Sequence, residues 1–201
     1  VALRQHEHRR RAEVADALAL DPSCARARIL EGRLQATSGN HRDAIVSWSG
    51  LVGEHPEMLC EVVHLVKASS NALGSLSLFR GFLDQAIAAT ADERLKLMLV
   101  DHLAADGSKE EAEKVLLNLV NEGASLPGLH RLLQFRALDT ADSRIRADYE
   151  LLRHVTGKLL EDRAGYECRF CGLQGRSLHW QCPGCRSWNT TSARLFSATL
   201  N

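Results

Sequence analysis

Apolar residues recur at intervals of three or four along most of this chain, with charged residues filling the positions between them. Val62, Leu65, Val66, Phe79, Phe82 and Leu83 follow this rhythm in one stretch, and Ile145, Tyr149, Leu152, Val155 and Leu159 follow it in another. That period is the signature of amphipathic helices with one face turned to a core. The pattern predicts helices up to about residue 163, the last pair being carried by "LHRLLQFRAL" and "SRIRADYELLRHVTGKLL". Beyond it the rhythm stops, and glycine, proline and cysteine take over.

The helices repeat. Pro22 and Pro56 stand 34 residues apart, each closing a helical stretch, while Gly39 and Gly107 are separated by 68, as are Ala44 and Ala112. A single period of 34 explains all three pairs and corresponds to the tetratricopeptide layout of two antiparallel helices per unit. Gly32 and Ala44 supply the small residues that a close helix crossing needs, and Gly39 with Asn40 supplies the turn. Trp48 is expected to fill the groove toward the following repeat, a role that passes to Leu116 later. The segment 59–92 keeps the length but places Val66 and Leu78 at the expected crossing, so it reads as a degenerate repeat. Pro22 closes a repeat whose first helix would precede residue 1, which implies upstream sequence.

Composition narrows the function classes. With 201 residues and 45% hydrophobic content the chain can form a core, and 25 Lys+Arg against 25 Asp+Glu leave no chain-wide field for nucleic acid or an anionic membrane. No apolar run reaches the roughly 18 to 20 residues of a membrane span, and "VALRQHEHRRR" lacks the apolar centre of a signal peptide. The residues present are therefore expected to be soluble.

Six cysteines are unevenly placed. Cys168, Cys171, Cys182 and Cys185 form two Cys-x2-Cys pairs with ten residues between them. Two residues between thiolates let a tight turn aim both sulfurs at one ion, and two facing turns complete a tetrahedral set of four. Such soft ligands select zinc or iron over magnesium or calcium. Two disulfides are the competing reading of the spacing. Four thiolates leave no coordination position for a substrate, so the site reads as structural, holding together a segment of about 30 residues too small to fold unaided. Residues 163–194 also carry Arg163, Arg169, Arg176, Arg186 and Arg194 against Glu167, and Trp180 and Trp188 flank the second pair. Trp180, Trp188, Arg169, Arg176 and Arg186 are thus candidates for docking the module on the last helices or for meeting a partner.

Other signals carry less chemistry. His6 and His8 are two apart on a helix and point to nearly opposite sides, so they cannot chelate together, and Arg9 and Glu13 pair at i,i+4 on a solvated face. Cys24 and Cys60 read as small apolar fillers, and His179 as a surface neighbour of the cluster. There is no His-Glu-x-x-His, no Gly-x-Ser-x-Gly and no phosphate-cradling glycine loop, so no catalytic residue is assigned and the chain reads as a non-enzyme.

Tetratricopeptide repeats running directly into "YECRFCGLQGRSLHWQCPGCRSW" resemble the lipopolysaccharide assembly protein B family, strongest over residues 166–188. The resemblance implies a rubredoxin-type module with Cys168, Cys171, Cys182 and Cys185 as ligands of one zinc or iron ion. It also implies an N-terminal anchor in the bacterial inner membrane, absent from these residues, with repeats and metal module on the cytoplasmic side. Members act as adaptors toward a membrane-bound ATP-dependent protease and the deacetylase that commits precursors to lipid A, and they engage other lipopolysaccharide assembly proteins.

The expectation is a mostly α chain: a tetratricopeptide-repeat α-solenoid over 1–163, a rubredoxin-like four-cysteine metal module over 164–192 and a tail over 193–201. Its expected role is that of an adaptor that regulates lipopolysaccharide synthesis. Rubredoxin-like electron transfer and nucleic-acid binding through a basic zinc ribbon are the rival functions. Chain neutrality weighs against the second, and nucleic acid is not an expected partner.

Overall fold

The structure, a computed structural model, describes residues 2–90, 92–161 and 165–193, with side chains from residue 8 onward. His6, Arg163, Arg194 and nearly all of the tail over 193–201 therefore lie outside the described side chains. The chain divides into two compact units, Val1–Ala91 and Asp92–Asn201.

In the first unit α1 (Ala2–Leu20) is followed by two helical hairpins. The first pairs α2 (Ala25–Thr37) with α3 (His41–Ser49), which runs on into a short α4 (Leu51–Glu54). The second pairs α5 (Leu59–Ala72) with α6 (Leu76–Ala89). The second unit holds two more, α7 (Glu93–Ala105) with α8 (Lys109–Gly123) and α9 (Leu126–Asp139) with α10 (Ser143–Glu161), before the cysteine-rich module. This is the repeated antiparallel layout that the 34-residue period predicts.

The turns explain the period. Gly39, Gly74 and Gly107 all adopt a left-handed backbone, with φ of 83°, 63° and 84°. The residue after each closes a bond onto the preceding helix: Asn40 N to Gln35 O, Ser75 N to Ser70 O and Ser108 N to Leu103 O, at 2.9, 3.0 and 2.9 Å. A side chain is disfavoured at that conformation, which is why glycine marks the end of the first helix in these three hairpins. Gly74 lies 35 residues after Gly39 and 33 before Gly107. The 68-residue interval survives, and the middle repeat is displaced by one. The crossing there is consequently not Val66 with Leu78: Leu78 is partly exposed, and Phe79, fully buried, takes the place that Ala44 and Ala112 hold in the neighbouring hairpins. Lys67, the counterpart of Gly32, lays its ammonium 5.8 Å from the Phe79 ring centre.

Trp48 is anchored on its own hairpin, a contact its spacing does not predict. Its indole Nε1 donates to Ile29 O at 3.2 Å and its ring covers Gly32, so glycine at 32 makes room for the tryptophan. Trp48, Leu51, Leu59, Val62, Val66, Phe79 and Leu83 form the buried core of the first unit; Leu95, Val100, Leu103, Ala112, Leu116, Leu132 and Ala137 form that of the second. Leu116 is fully buried, as its spacing predicts.

The last hairpin departs from the sequence reading. α10 packs on α9, but through Tyr149, Arg153, Thr156, Gly157 and Leu160; Ile145, Leu152, Val155 and Leu159 stay exposed. The His130 ring, bonded to the Thr156 hydroxyl at 3.0 Å and close over Gly157, fixes that face. Arg9 and Glu13 pair at 2.9 Å on an exposed face of α1, as the i,i+4 spacing predicts. Among the described residues no helix is long and apolar enough to cross a membrane.

Gly32→Ala drives a methyl into the Trp48 indole and is expected to destabilise the chain by roughly 1–3 kcal/mol, the usual cost of overpacking. Gly81→Ala, in open space on α6, is expected to add about 0.5–1 kcal/mol through helix propensity. Denaturant unfolding of the two variants beside the parent checks both signs.

Candidate metal centre

The module after α10 is built on a small sheet of β1 (Tyr166–Cys168), β2 (Gln174–Gly175) and β3 (Thr191–Ala193), in the order β2-β1-β3 with both pairings antiparallel. β1 delivers Cys168 at its end. The chain then turns through Cys171 to Gly172, whose amide donates to Cys168 O at 2.9 Å while Cys168 N donates to Leu173 O at 2.9 Å. Fourteen residues later the pattern recurs: Arg186 N donates to Cys182 O and Cys182 N to Ser187 O, both at 2.9 Å. The two knuckles are copies of one turn, each needing a left-handed residue after its second cysteine. Gly172 fills that position with φ 72° and Arg186 with φ 62°.

Gly184, inside the second pair, serves close packing. Its backbone is not left-handed; a methyl there would sit 3.3 Å from Leu173 Cδ2 and 3.5 Å from Cys171 Sγ. Glycine at 184 lets the second knuckle close onto the first.

All four Sγ atoms lie within 4.8 Å of one another, with Cys168 to Cys185 at 3.7 Å and Cys171 to Cys182 at 3.6 Å. Disulfide sulfurs stand about 2.05 Å apart, so the paired-disulfide reading fails, and every cysteine is a free thiol. A metal–sulfur bond of about 2.3 Å implies tetrahedral sulfur–sulfur edges of about 3.8 Å, close to the separations seen. The donor set fits one zinc or iron ion. Among the described residues this is the one group of three or more His, Cys, Asp or Glu side chains with metal-ligand geometry. Cys168 and Cys182 are buried, Cys185 is half-buried and Cys171 is exposed, so the cluster reaches the surface along its Cys171 edge.

The surroundings divide the four thiols. Cys168 is lowered to about 6, chiefly by its side-chain hydrogen bond with Thr190 Oγ1, 3.2 Å away, with the Cys171 amide adding to the effect. Cys185 is lowered by the Ser187 hydroxyl and amide. Cys171 receives the Leu173 amide, which favours its thiolate, but burial and the three neighbouring sulfurs outweigh that bond and push it up to about 11. Four negative sulfurs at this distance repel one another, and a divalent cation supplies the charge that lets all of them ionise.

The candidate surface residues are scattered around this core. Trp188 is 58% exposed, opposite Gln181 in an isolated bridge; Trp180 is half-buried and accepts from Asn189 N through its carbonyl. Arg169 donates to Asn189 O, Arg176 donates to Glu161 O at the end of α10, and Arg186 is exposed. His179 meets Ser177 on the surface, apart from the cluster. Cys24 and Cys60 are half-buried in the helical part.

Sequence reasoning missed the second tether between the module and the helices. Asp92 caps α7, accepting from Arg94 N at 2.9 Å, and holds the Arg94 guanidinium at 2.6 Å; that guanidinium reaches Tyr166 Oη at 3.4 Å and lies 5.7 Å from its ring centre. No local signal links residues 72 positions apart, although the Asp-x-Arg start of a helix was visible as a cap.

The module also matches a known family model, described as a rubredoxin metal binding domain, over residues 166–192. Over most of its length the chain is similar to two curated proteins named lipopolysaccharide assembly protein B. The Escherichia coli K12 protein is 24% identical over 172 residues, covering 86% of this chain and 44% of the relative. The Haemophilus influenzae protein is 26% identical over 181 residues, covering 90% and 46%. The chain thus spans less than half the length of these relatives.

Arg186→Gly removes the left-handed strain of a non-glycine residue and is expected to stabilise the metal-loaded module by about 1 kcal/mol. Chelator competition at neutral pH, with Gly172→Ala as the opposite change, reads this as slower and faster metal loss respectively. Acidification is expected to release the ion steeply: the thiolate that Thr190 favours is present above a pH of about 6 and is lost as pH falls through it. A zinc-sensitive dye checks the release midpoint.

Repeated helical hairpins and a four-sulfur cluster that takes one metal ion thus accompany a chain-long similarity to proteins named lipopolysaccharide assembly protein B.

Proposed function

We propose that this chain is the adaptor part of a lipopolysaccharide assembly protein, with Cys168, Cys171, Cys182 and Cys185 as the ligands of its structural metal. In this reading residues 1–163 form the repeat array, 164–192 the metal module and 193–201 a tail. The single observation that carries the reading is the closed donor set: four sulfurs on two facing knuckles use all positions of a tetrahedral ion, leaving none for substrate or water. When bound, the ion supplies folding energy and charge neutralisation. The knuckle amides, Thr190 and Ser187 hold the sulfurs, and Arg94 and Arg176 hold the module on the helices.

The helical hairpins then serve as a surface for other polypeptides. The names of the similar proteins point to lipopolysaccharide assembly as the process. The finer proposal is that the full protein, anchored at the cytoplasmic side of the inner membrane, presents the deacetylase that commits precursors to lipid A to a membrane-bound ATP-dependent protease. Trp188, Arg169 and Arg186, exposed on the module, are proposed contacts with such a partner, and Trp180 and Arg176 are proposed docking residues.

One observation favours a second reading. The exposed Cys171 edge would give an electron donor access to an iron ion, as rubredoxin-like electron transfer requires. Reversible voltammetry of iron-loaded protein at a physiological potential supports that reading; a colourless, redox-silent zinc protein from cells removes it.

Cys182→Ser in the full-length protein is expected to lose its metal and to slow deacetylase turnover in cells. Metal analysis and a pulse-chase of the deacetylase check this, and a metal-free variant with normal turnover contradicts the adaptor role assigned to the module.

A further inference from the structure

The four prospective ligands are unequally protected. Cys168 and Cys182 are 2% and 1% exposed and Cys185 is half-buried, whereas Cys171 is exposed. Gly184, on the facing knuckle, has no side chain where a methyl would lie 3.5 Å from Cys171 Sγ, so the second knuckle closes onto the first and still leaves that sulfur open. Hydrogen bonding divides the sulfurs in the same sense. Cys168 is bonded with Thr190 and with the Phe170 and Cys171 amides, and Cys185 with the hydroxyl and amide of Ser187. The backbone donor to Cys171 is the Leu173 amide. Donors withdraw electron density from a ligating sulfur, so Cys171 keeps more of its own than Cys168 or Cys185 does. A sulfur bound to a divalent ion is a thiolate outright, which is the nucleophilic form.

A second thiol stands within reach. Cys182 Sγ is 3.6 Å from Cys171 Sγ across the two knuckles, and Cys168 Sγ is 3.7 Å from Cys185 Sγ. The cluster is thus two cross-knuckle pairs, and one of them opens to solvent. Accessibility, thiolate character and a neighbouring thiol to complete the reaction are the attributes of a redox-sensing cysteine.

We propose that Cys171 is a peroxide-sensitive site whose oxidation to a disulfide with Cys182 ejects the ion and unlatches the module. The Cys171 thiolate attacks one oxygen of hydrogen peroxide; an S–O bond forms, the O–O bond breaks, and the departing hydroxide takes a proton from solvent to become water. The Cys182 thiolate then attacks the Cys171 sulfur; the S–S bond forms, the S–O bond breaks, and a second hydroxide leaves as water. Two thiolates lose two electrons, and one peroxide is reduced to two waters. Cys168 and Cys185 remain as two donors where four are needed, so the ion leaves. The order of the module goes with it, and so do the contacts from Tyr166 to Arg94 and from Arg176 to Glu161 O. The reaction depends on the metal centre alone and is independent of what the helices carry.

Hydrogen peroxide added to the zinc-loaded 201-residue chain tests the proposal, with a zinc-sensitive dye following release and mass spectrometry of alkylated, unreduced peptides locating the bond. At low conversion one zinc is expected per disulfide, joining Cys171 to Cys182, while Cys24, Cys60, Cys168 and Cys185 stay open to alkylation. A dithiol with added zinc is expected to restore the loaded form. Gly184→Ala, which sets a methyl beside Cys171 Sγ and removes no ligand, is expected to slow peroxide-driven release about threefold and to leave chelator-driven release unchanged. A first bond other than Cys171 to Cys182, Cys24 and Cys60 consumed while zinc stays bound, or a zinc-binding Gly184→Ala chain as sensitive as the parent would each overturn the proposal. If Gly184→Ala binds no zinc, the peptide map of the parent decides.

Discussion

Mutual placement of four sulfur atoms is the constraint on which the C-terminal part of this protein depends. Among residues 165–193 the buried side chains are Cys168, Cys182 and Thr191, two prospective ligands and a threonine. Strands of three, two and three residues cannot hold themselves together, and so short a segment has little apolar surface to hide. The energy that orders it must come from bonds to an ion, and the backbone prepares for them. Two identical knuckles aim amides at the sulfurs, while Thr190 and Ser187 supply hydroxyls. Ion and fold are therefore one equilibrium.

That local order is transmitted to the helices through polar contacts. Arg176 reaches the carbonyl end of α10, and Tyr166, two residues before the first ligand, meets an arginine fixed by the cap of α7. The cap is significant because Asp92 is itself buried and orients the guanidinium, so the contact to β1 is prearranged. A module ordered by metal thereby presents a fixed side to the hairpins of the second unit.

Much of this was legible in the residue pattern. The four cysteines were readable because ligand spacing is a local property of the chain, and three of the four hairpins because a left-handed glycine closes them. Where the reading erred, non-local packing decided. The seat of Trp48 over Gly32 was invisible to spacing. Phe79 replaced Leu78 because the Gly74 turn slipped by one residue. α10 showed the apolar period of a packed helix, yet His130 and Gly157 drew a different face onto α9. The tether between Arg94 and Tyr166 lay beyond any sequence rule, since it joins residues that only the fold brings together.

The central claim, that one ion held by the four sulfurs orders the module while the helices stand on their own cores, is tested most directly by amide hydrogen exchange on zinc-loaded and chelated protein. The expected result is that protection across 166–192 is lost with the metal, while the interiors of α2 to α9 keep theirs. Unchanged protection of β1 and β3 after the ion has been removed would contradict it.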